Sequence, residues 1–305
     1  MGKTVTHAQP EIQKISRNTA KNRRDLQAFA VRMVYTLLIG ALAFTMIVPF
    51  LWMLSASFKI AADVLKLPID WIPDYLYTKN FKVVWNIGKA APRDYHFALS
   101  YYNSLKVSLI NLVGAVLTSS LAGYAFAKIK FRGSNVVFLL YLSTMMIPSQ
   151  VTLIPKFVLF DKLGMLGTHL TLILPGIVTI TGTFLMRQYF MQVPNELKEA
   201  AHIDGAGEFR TWAQIMLPMA KPAMASLAMV VFLWSWNNYL EALVFLRDWR
   251  TYTIPVALSN FIEESLTEYN LVMAASVSAL LPVFIVFLVG QKFFVKGLTA
   301  GAVKG

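Results

Sequence analysis

Six apolar runs decide what this chain can become: 33–58, 107–127, 134–155, 164–186, 222–246 and 269–291, whose only formally charged residue is Glu241. Crossing the hydrocarbon core of a bilayer takes about 20 apolar residues in a helix, and a helix satisfies its own backbone groups where no water can. The runs have that length, and polar segments separate them. The expectation is an all-α integral membrane protein with six transmembrane helices. It divides into an N-terminal tail 1–32, a six-span body 33–291 and a C-terminal tail 292–305. Hydrophobic residues are 56% of the 305 and charged ones only 14%, a balance foreign to water-soluble domains.

The net charge of +12 raises nucleic acid as a partner. Yet the one concentrated basic run, Lys14, Arg17, Lys21, Arg23 and Arg24, precedes the first apolar run, and the aromatics lie mostly in apolar runs rather than among Lys and Arg. Membrane topology accounts for the charge better, so lipid is expected and nucleic acid is not. With both termini and the polar segment 187–221 placed in the cytoplasm, that side holds 17 of the 28 Lys and Arg, while 10 of the 16 acidic residues fall outside. The basic tail lacks the small-residue cleavage site of a secretory signal and reads as an uncleaved, mobile cytoplasmic tail. There is no cysteine, and His7, His96, His169 and His202 are too scattered to form a zinc set, so no metal is expected.

The runs differ in their interruptions. Pro49 is expected to kink the first helix without splitting it. Thr118, Ser119, Ser120, Ala122 and Gly123 in the second run are small residues that let helices approach closely in lipid, and Asn111 lies in the same run. Pro148 within Ile147-Pro148-Ser149-Gln150, and Pro175-Gly176 with Thr179, Thr181 and Thr183, read as broken inward-facing segments, since irregular backbone at that depth needs protein or a water-filled cavity around it. The connection 59–102 is too interrupted to span, and its amphipathic piece 81–87 is expected to lie along the membrane interface.

Between the fourth and fifth runs stands a polar island, 194–218, whose core reads EAAHIDGAGEFRTWAQIMLP. Pro194 and Glu196 suit the start of a short helix reaching Ile203. Gly205 and Gly207 then break it. A second helix is expected from Glu208, with Phe209, Trp212 and Ile215 or Met216 on one face and Pro218 at its end.

The spacing Glu199-Ala200-Ala201, three residues, Gly205, nine residues, Ile215, one residue, Leu217-Pro218 resembles the EAA loop in membrane subunits of binding-protein-dependent ABC importers. In that family the loop is the cytoplasmic coupling helix that docks on the ATPase, which implies that role for Glu199, Ala200, Ala201, Asp204, Gly205, Ile215, Leu217 and Pro218. Trp236-Asn237-Asn238-Tyr239 and the end 294–305 are similar to the carbohydrate branch of the family, the MalG-like permeases. The resemblance implies a type I permease fold, a related second permease, two ATPase subunits, an extracytoplasmic sugar-binding protein and a carbohydrate substrate. It also implies that ATP and Mg²⁺ bind the ATPase subunits, with no cofactor in this chain.

The residues themselves carry no G-x-x-x-x-G-K-[ST] phosphate loop, HExxH or GxSxG, so no enzyme activity is expected of the chain. Trp236, Asn237, Asn238, Tyr239 and Glu241 offer ring faces and amides suited to a sugar, and equally to an aromatic belt or to helix packing. A permease for another solute, such as glycerol phosphate, is the alternative. An anionic solute would call for cations along the path, and the runs hold none. A gradient-driven secondary carrier is a further alternative, which leaves the EAA spacing unexplained.

Overall fold

The computed structural model describes residues 8–87, 96–265 and 268–302, and all regular structure among them is helical. In chain order the helices are α1 (Ala8–Ser57), α2 (Ala61–Val64), α3 (Lys79–Val84), α4 (Phe97–Lys128), α5 (Ser134–Ser143), α6 (Ser149–Lys162), α7 (Leu170–Gly176) and α8 (Ile180–Gln192). They continue with α9 (Asn195–Ile203), α10 (Glu208–Thr211), α11 (Leu217–Met219), α12 (Lys221–Trp236), α13 (Leu240–Phe245), α14 (Ile254–Glu264) and α15 (Tyr269–Ala302). Four segments are long and apolar enough to cross a membrane: Gln27–Ser57, Phe97–Lys128, Leu170–Gln192 and Tyr269–Lys292. The number reaches six if two bent pairs each count as one span, Ser134–Met146 with Ser149–Lys162 and Glu208–Met219 with Lys221–Trp236.

Where the helices break, the local chemistry says why. Proline has no N–H to donate and forces the preceding residue out of the helical region. Ile147 is accordingly extended, Pro148 caps α6, and the two limbs meet at 97°. The third run therefore does not end at residue 155 as expected. Its second limb passes through Pro155 and carries Lys156, so a cation does stand within an apolar run's continuation. Pro49 leaves α1 continuous, and α1 begins in the expected mobile tail, at Ala8. The fifth run stops at Trp236 and resumes as α13 after Asn237 and Asn238.

Packing is tightest between α4 and α8. A β-carbon on Gly123 would sit 2.7 Å from Met186 Cβ and 2.8 Å from the Arg187 amide nitrogen, and one on Gly114 would meet Ile177 Cγ2 at 2.4 Å. The small residues thus bring two backbones into contact, as lipid-embedded helices require. At the break between α7 and α8, Thr118 Oγ1 donates to the Ile177 carbonyl at 2.5 Å and the Thr179 hydroxyl caps α8 by accepting from Gly182 N–H. Backbone groups freed by the interruption are thereby satisfied from within the bundle.

Three buried clusters follow the axis of α4. One joins its foot, around Tyr124, to Met186, Phe190, Trp212, Met216 and Leu227. A second gathers Val84, Phe97, Phe232, Trp236, Phe261 and Leu271, and a third Val107, Phe160, Leu172, Phe245 and Val256. The piece 81–87 belongs to the second cluster: Val84 is 1% exposed and Trp85 Nε1 donates to Ser278 Oγ at 3.1 Å. It docks on protein rather than lying along lipid. Asn80, also buried, donates to the carbonyls of Ser57 and Lys59 and accepts from Asn270, fixing the end of α1 against α3 and α15. Most of α1 stands outside these clusters, with Leu42 and Met46 exposed, as suits a helix surrounded by lipid or by another subunit.

Candidate functional site

The polar island folds as a helical hairpin. Pro194 is the N-cap of α9, and Glu196 occupies the first turn where the helix dipole favours negative charge. The helix ends at a left-handed Gly205, with φ of 82°. Gly205 N–H donates to His202 O at 3.1 Å and Ala206 N–H to Ala201 O at 2.9 Å, the paired bonds of a Schellman motif. Gly207 is different: its φ is −73°, it caps α10, and nothing in its backbone requires glycine.

The second limb departs from a simple helix. After α10 the backbone makes a π turn over Trp212–Met216 before α11, and the chain bends by 81° into α12 at Ala220 rather than at Pro218. Widening the helix by one residue shifts which side chains share a face. Trp212 and Met216 are buried and Ile215 half-buried, whereas Phe209 is 71% exposed. Phe209 and Trp212 share a face as expected, their ring centroids 5.2 Å apart, with Phe209 at its exposed edge. Of the remaining EAA positions, Ala201 is buried, Leu217 half-buried, and Glu199, Ala200, Asp204 and Pro218 exposed. Ile203 is 86% exposed. The hairpin thus presents three large apolar side chains, Leu197, Ile203 and Phe209, with the small Ala200, and exposed apolar surface of this kind marks contact sites.

A network absent from the sequence reading holds the hairpin to the bundle. Tyr124 Oη donates to Glu208 Oε2 at 2.5 Å, and Lys198 Nζ lies 2.8 Å from Glu208 Oε1. Lys198 Nζ also donates to Lys128 O at 2.7 Å, while Lys128 Nζ donates to Val193 O at 2.5 Å and to Asn195 Oδ1 at 2.7 Å. Partial burial pushes the Glu208 carboxyl up. The hydrogen bonds from Lys198 and Tyr124, with the charges of Lys198 and His202, outweigh it and hold Glu208 below the usual carboxylate range. Two signals could have exposed this: Tyr124 and Lys128 are four apart on one helix face, and Lys198 and Glu208 flank the Gly205 turn.

The second group of expected site residues separates. Trp236 is 2% exposed, donates from Nε1 to Ala279 O at 3.2 Å and packs on Phe232 and Tyr101, so it is a core residue in this structure. Asn237 is exposed, and its amide donates to Leu233 O at 2.8 Å, closing the end of α12. Tyr239 is exposed with its hydroxyl 3.2 Å from Ser259 Oγ. Asn238 Nδ2 donates to Glu241 Oε2 at 2.9 Å, and Lys156 Nζ reaches the other oxygen, Oε1, at 2.7 Å. This partly buried cluster joins α6 to α13 and leaves Lys156 neutralised. His169 has its Nε2 2.9 Å from the Thr251 carbonyl oxygen.

Comparison with known proteins matches these features to one family. The family model for the binding-protein-dependent transport system inner membrane component covers residues 115–300. The arabinooligosaccharides transport system permease protein AraQ of Bacillus subtilis is 34% identical over 285 residues, 93% of this chain and 99% of that protein. The sn-glycerol-3-phosphate transport system permease protein UgpE of Yersinia enterocolitica is 34% identical over 287 residues, 91% and 98% of the two chains. Among solved structures, a chain of a bacterial ABC transporter involved in the import of the acidic polysaccharide alginate superposes with a TM-score of 0.74 at 26% identity, covering 86% of this chain and 95% of that one. With its helical membrane-spanning architecture and its hairpin of EAA spacing, the chain belongs to the family of binding-protein-dependent transport system inner membrane components.

Proposed function

We propose that the chain is one permease half of an ATP-driven sugar importer, in which 33–291 forms the permease unit and the hairpin 194–218 is its cytoplasmic contact with an ATPase subunit. The observation that carries the reading is the exposure of Leu197, Ile203 and Phe209, with Ala200, on a hairpin held at its turn by paired backbone hydrogen bonds. ATP and Mg²⁺ then belong to two ATPase subunits, and this chain is non-catalytic. A second permease completes the pathway, and an extracytoplasmic binding protein delivers the solute from the side opposite the hairpin. Both termini lie in the cytoplasm with the hairpin, in keeping with the distribution of Lys and Arg. Closure of the ATPase pair pushes the hairpin, and the broken spans rotate to open the cavity outward.

A sugar is favoured over an anionic solute on two counts. A closely similar relative is named for arabinooligosaccharides, and the partly buried Lys156 is already paired with Glu241. The similarity to a glycerol-phosphate permease keeps that solute as the second reading. The test is co-purification with candidate ATPase subunits, followed by uptake of labelled oligosaccharide with glycerol phosphate as competitor. Glu199→Ala and Gly205→Pro are expected to abolish coupled uptake while the protein still inserts, because proline cannot adopt the positive φ of Gly205. Uptake indifferent to both substitutions, with no ATPase associated, would overturn the reading in favour of a gradient-driven carrier.

A further inference from the structure

We propose that Tyr124 and Lys128 at the foot of α4, Lys198 on α9 and Glu208 on α10 form a closed positioning ring that makes the hairpin and α4 move as one body. This rests on the reading of 194–218 as the ATPase contact and adds the route by which displacement leaves it. The ring closes through three elements. Tyr124 donates to one oxygen of Glu208, Lys198 binds the other, Lys198 donates to the Lys128 carbonyl, and one helical turn of α4 returns to Tyr124. Lys128 adds a second tie, donating to Val193 O where α8 ends and to Asn195 Oδ1 where α9 begins.

An isolated, half-exposed ion pair contributes little to stability. What distinguishes this one is that each member is hydrogen-bonded to a different element, so sliding or tilting the hairpin against α4 breaks several charge-assisted bonds at once. Lys128 is 9% exposed, so separating it from Val193 and Asn195 would leave an ammonium among buried groups. Beyond the ring, α4 abuts α8 backbone to backbone at Gly123 and reaches α12 through Asn111, whose Nδ2 donates to Ser235 Oγ at 2.9 Å. A push on the hairpin is therefore delivered to a packed block of spans, while the exposed Ala200, Ile203 and Phe209 remain available to a partner. Tyr124, Lys128, Lys198 and Glu208 are positioning residues for coupling.

The chain has no cysteine, so spin labels can be placed at Leu121→Cys on α4 and Glu196→Cys on α9 with no other site in this chain, and the chain is labelled before it is combined with its ATPase. Their separation is measured by double electron–electron resonance in the complex with its ATPase, nucleotide-free and trapped with ATP and vanadate. One narrow distribution, the same in both states, is expected. Adding Glu208→Gln with Tyr124→Phe is expected to roughly double its width by freeing local opening, and to make it differ between states. Tyr124→Phe alone, which removes only a hydroxyl, serves if the double variant does not fold. A separation that shifts between states with the ring intact, or a distribution unmoved by the substitutions, overturns the proposal. If no ATPase co-purifies, the docking reading has failed, and the width with and without Glu208→Gln in the isolated chain still decides whether the ring holds.

Discussion

Glu208 shows how a single side chain can be placed by its neighbours rather than by its own helix. Tyr124 faces it from α4, and Lys198 and His202 face it from α9, so the folded protein binds its proton less readily than the unfolded chain, whose glutamate titrates near 4.5. The stabilisation is therefore fully present above that value and is lost as pH falls through the depressed folded one. The expected result is that the melting-temperature difference between the native protein and Glu208→Gln is retained at pH values well above about 4.5 and shrinks below it. A difference that grows on acidification would contradict it. Asn80 plays a comparable part at the other end of the molecule, since its amide satisfies two carbonyls where α1 ends. Asn80→Ala is expected to cost about 1–3 kcal/mol, read from denaturant unfolding in detergent, because the buried carbonyls lose their donor. Neither residue stood out in the sequence. Isolated polar residues near apolar runs look alike until the fold chooses their partners, and of the two readings open for Trp236 the structure shows the packed one, its indole being as fit for the core as for a sugar.

At the level of elements, breaks and close contacts were more legible than lengths. The break expected at Pro175-Gly176 falls just after them, at 177–179, with both residues inside α7. The turn at Gly205, the interruption at Pro148 and the small-residue face of the second run follow from local chemistry. The 97° bend, the passage of α6 through Pro155 and the π turn at Trp212–Met216 do not, because packing decides how far a broken helix swings and where a widened turn is tolerated. The contact of α4 with α8 yields a clean test. Gly123→Ala puts a carbon 2.8 Å from a backbone nitrogen that cannot rotate aside, unlike the flexible end of a side chain. It is expected to destabilise the protein by about 1–3 kcal/mol, measured as a shift in thermal unfolding. Gly207→Ala, at an ordinary φ with open space around it, is expected to leave the unfolding temperature within error.

For the whole molecule, the apolar runs foretold a helical membrane protein and the EAA spacing foretold its family, and both agree with the architecture and with relatives aligned over nearly the full chain. Lys156 and Glu241 pair where α6 meets α13, and Leu197, Ile203 and Phe209 are exposed on the hairpin. On the reading proposed above, the hairpin is the surface where an energy-supplying partner binds. The most direct measurement is site-directed cross-linking from Ile203→Cys carrying a photoactivatable probe, in membranes containing the co-expressed ATPase. A cross-linked product of permease and ATPase is expected from Ile203, with none from Leu42→Cys on the exposed face of α1. Cross-links from Ile203 to lipid alone, in cells where the ATPase is present and the permease inserted, would contradict it.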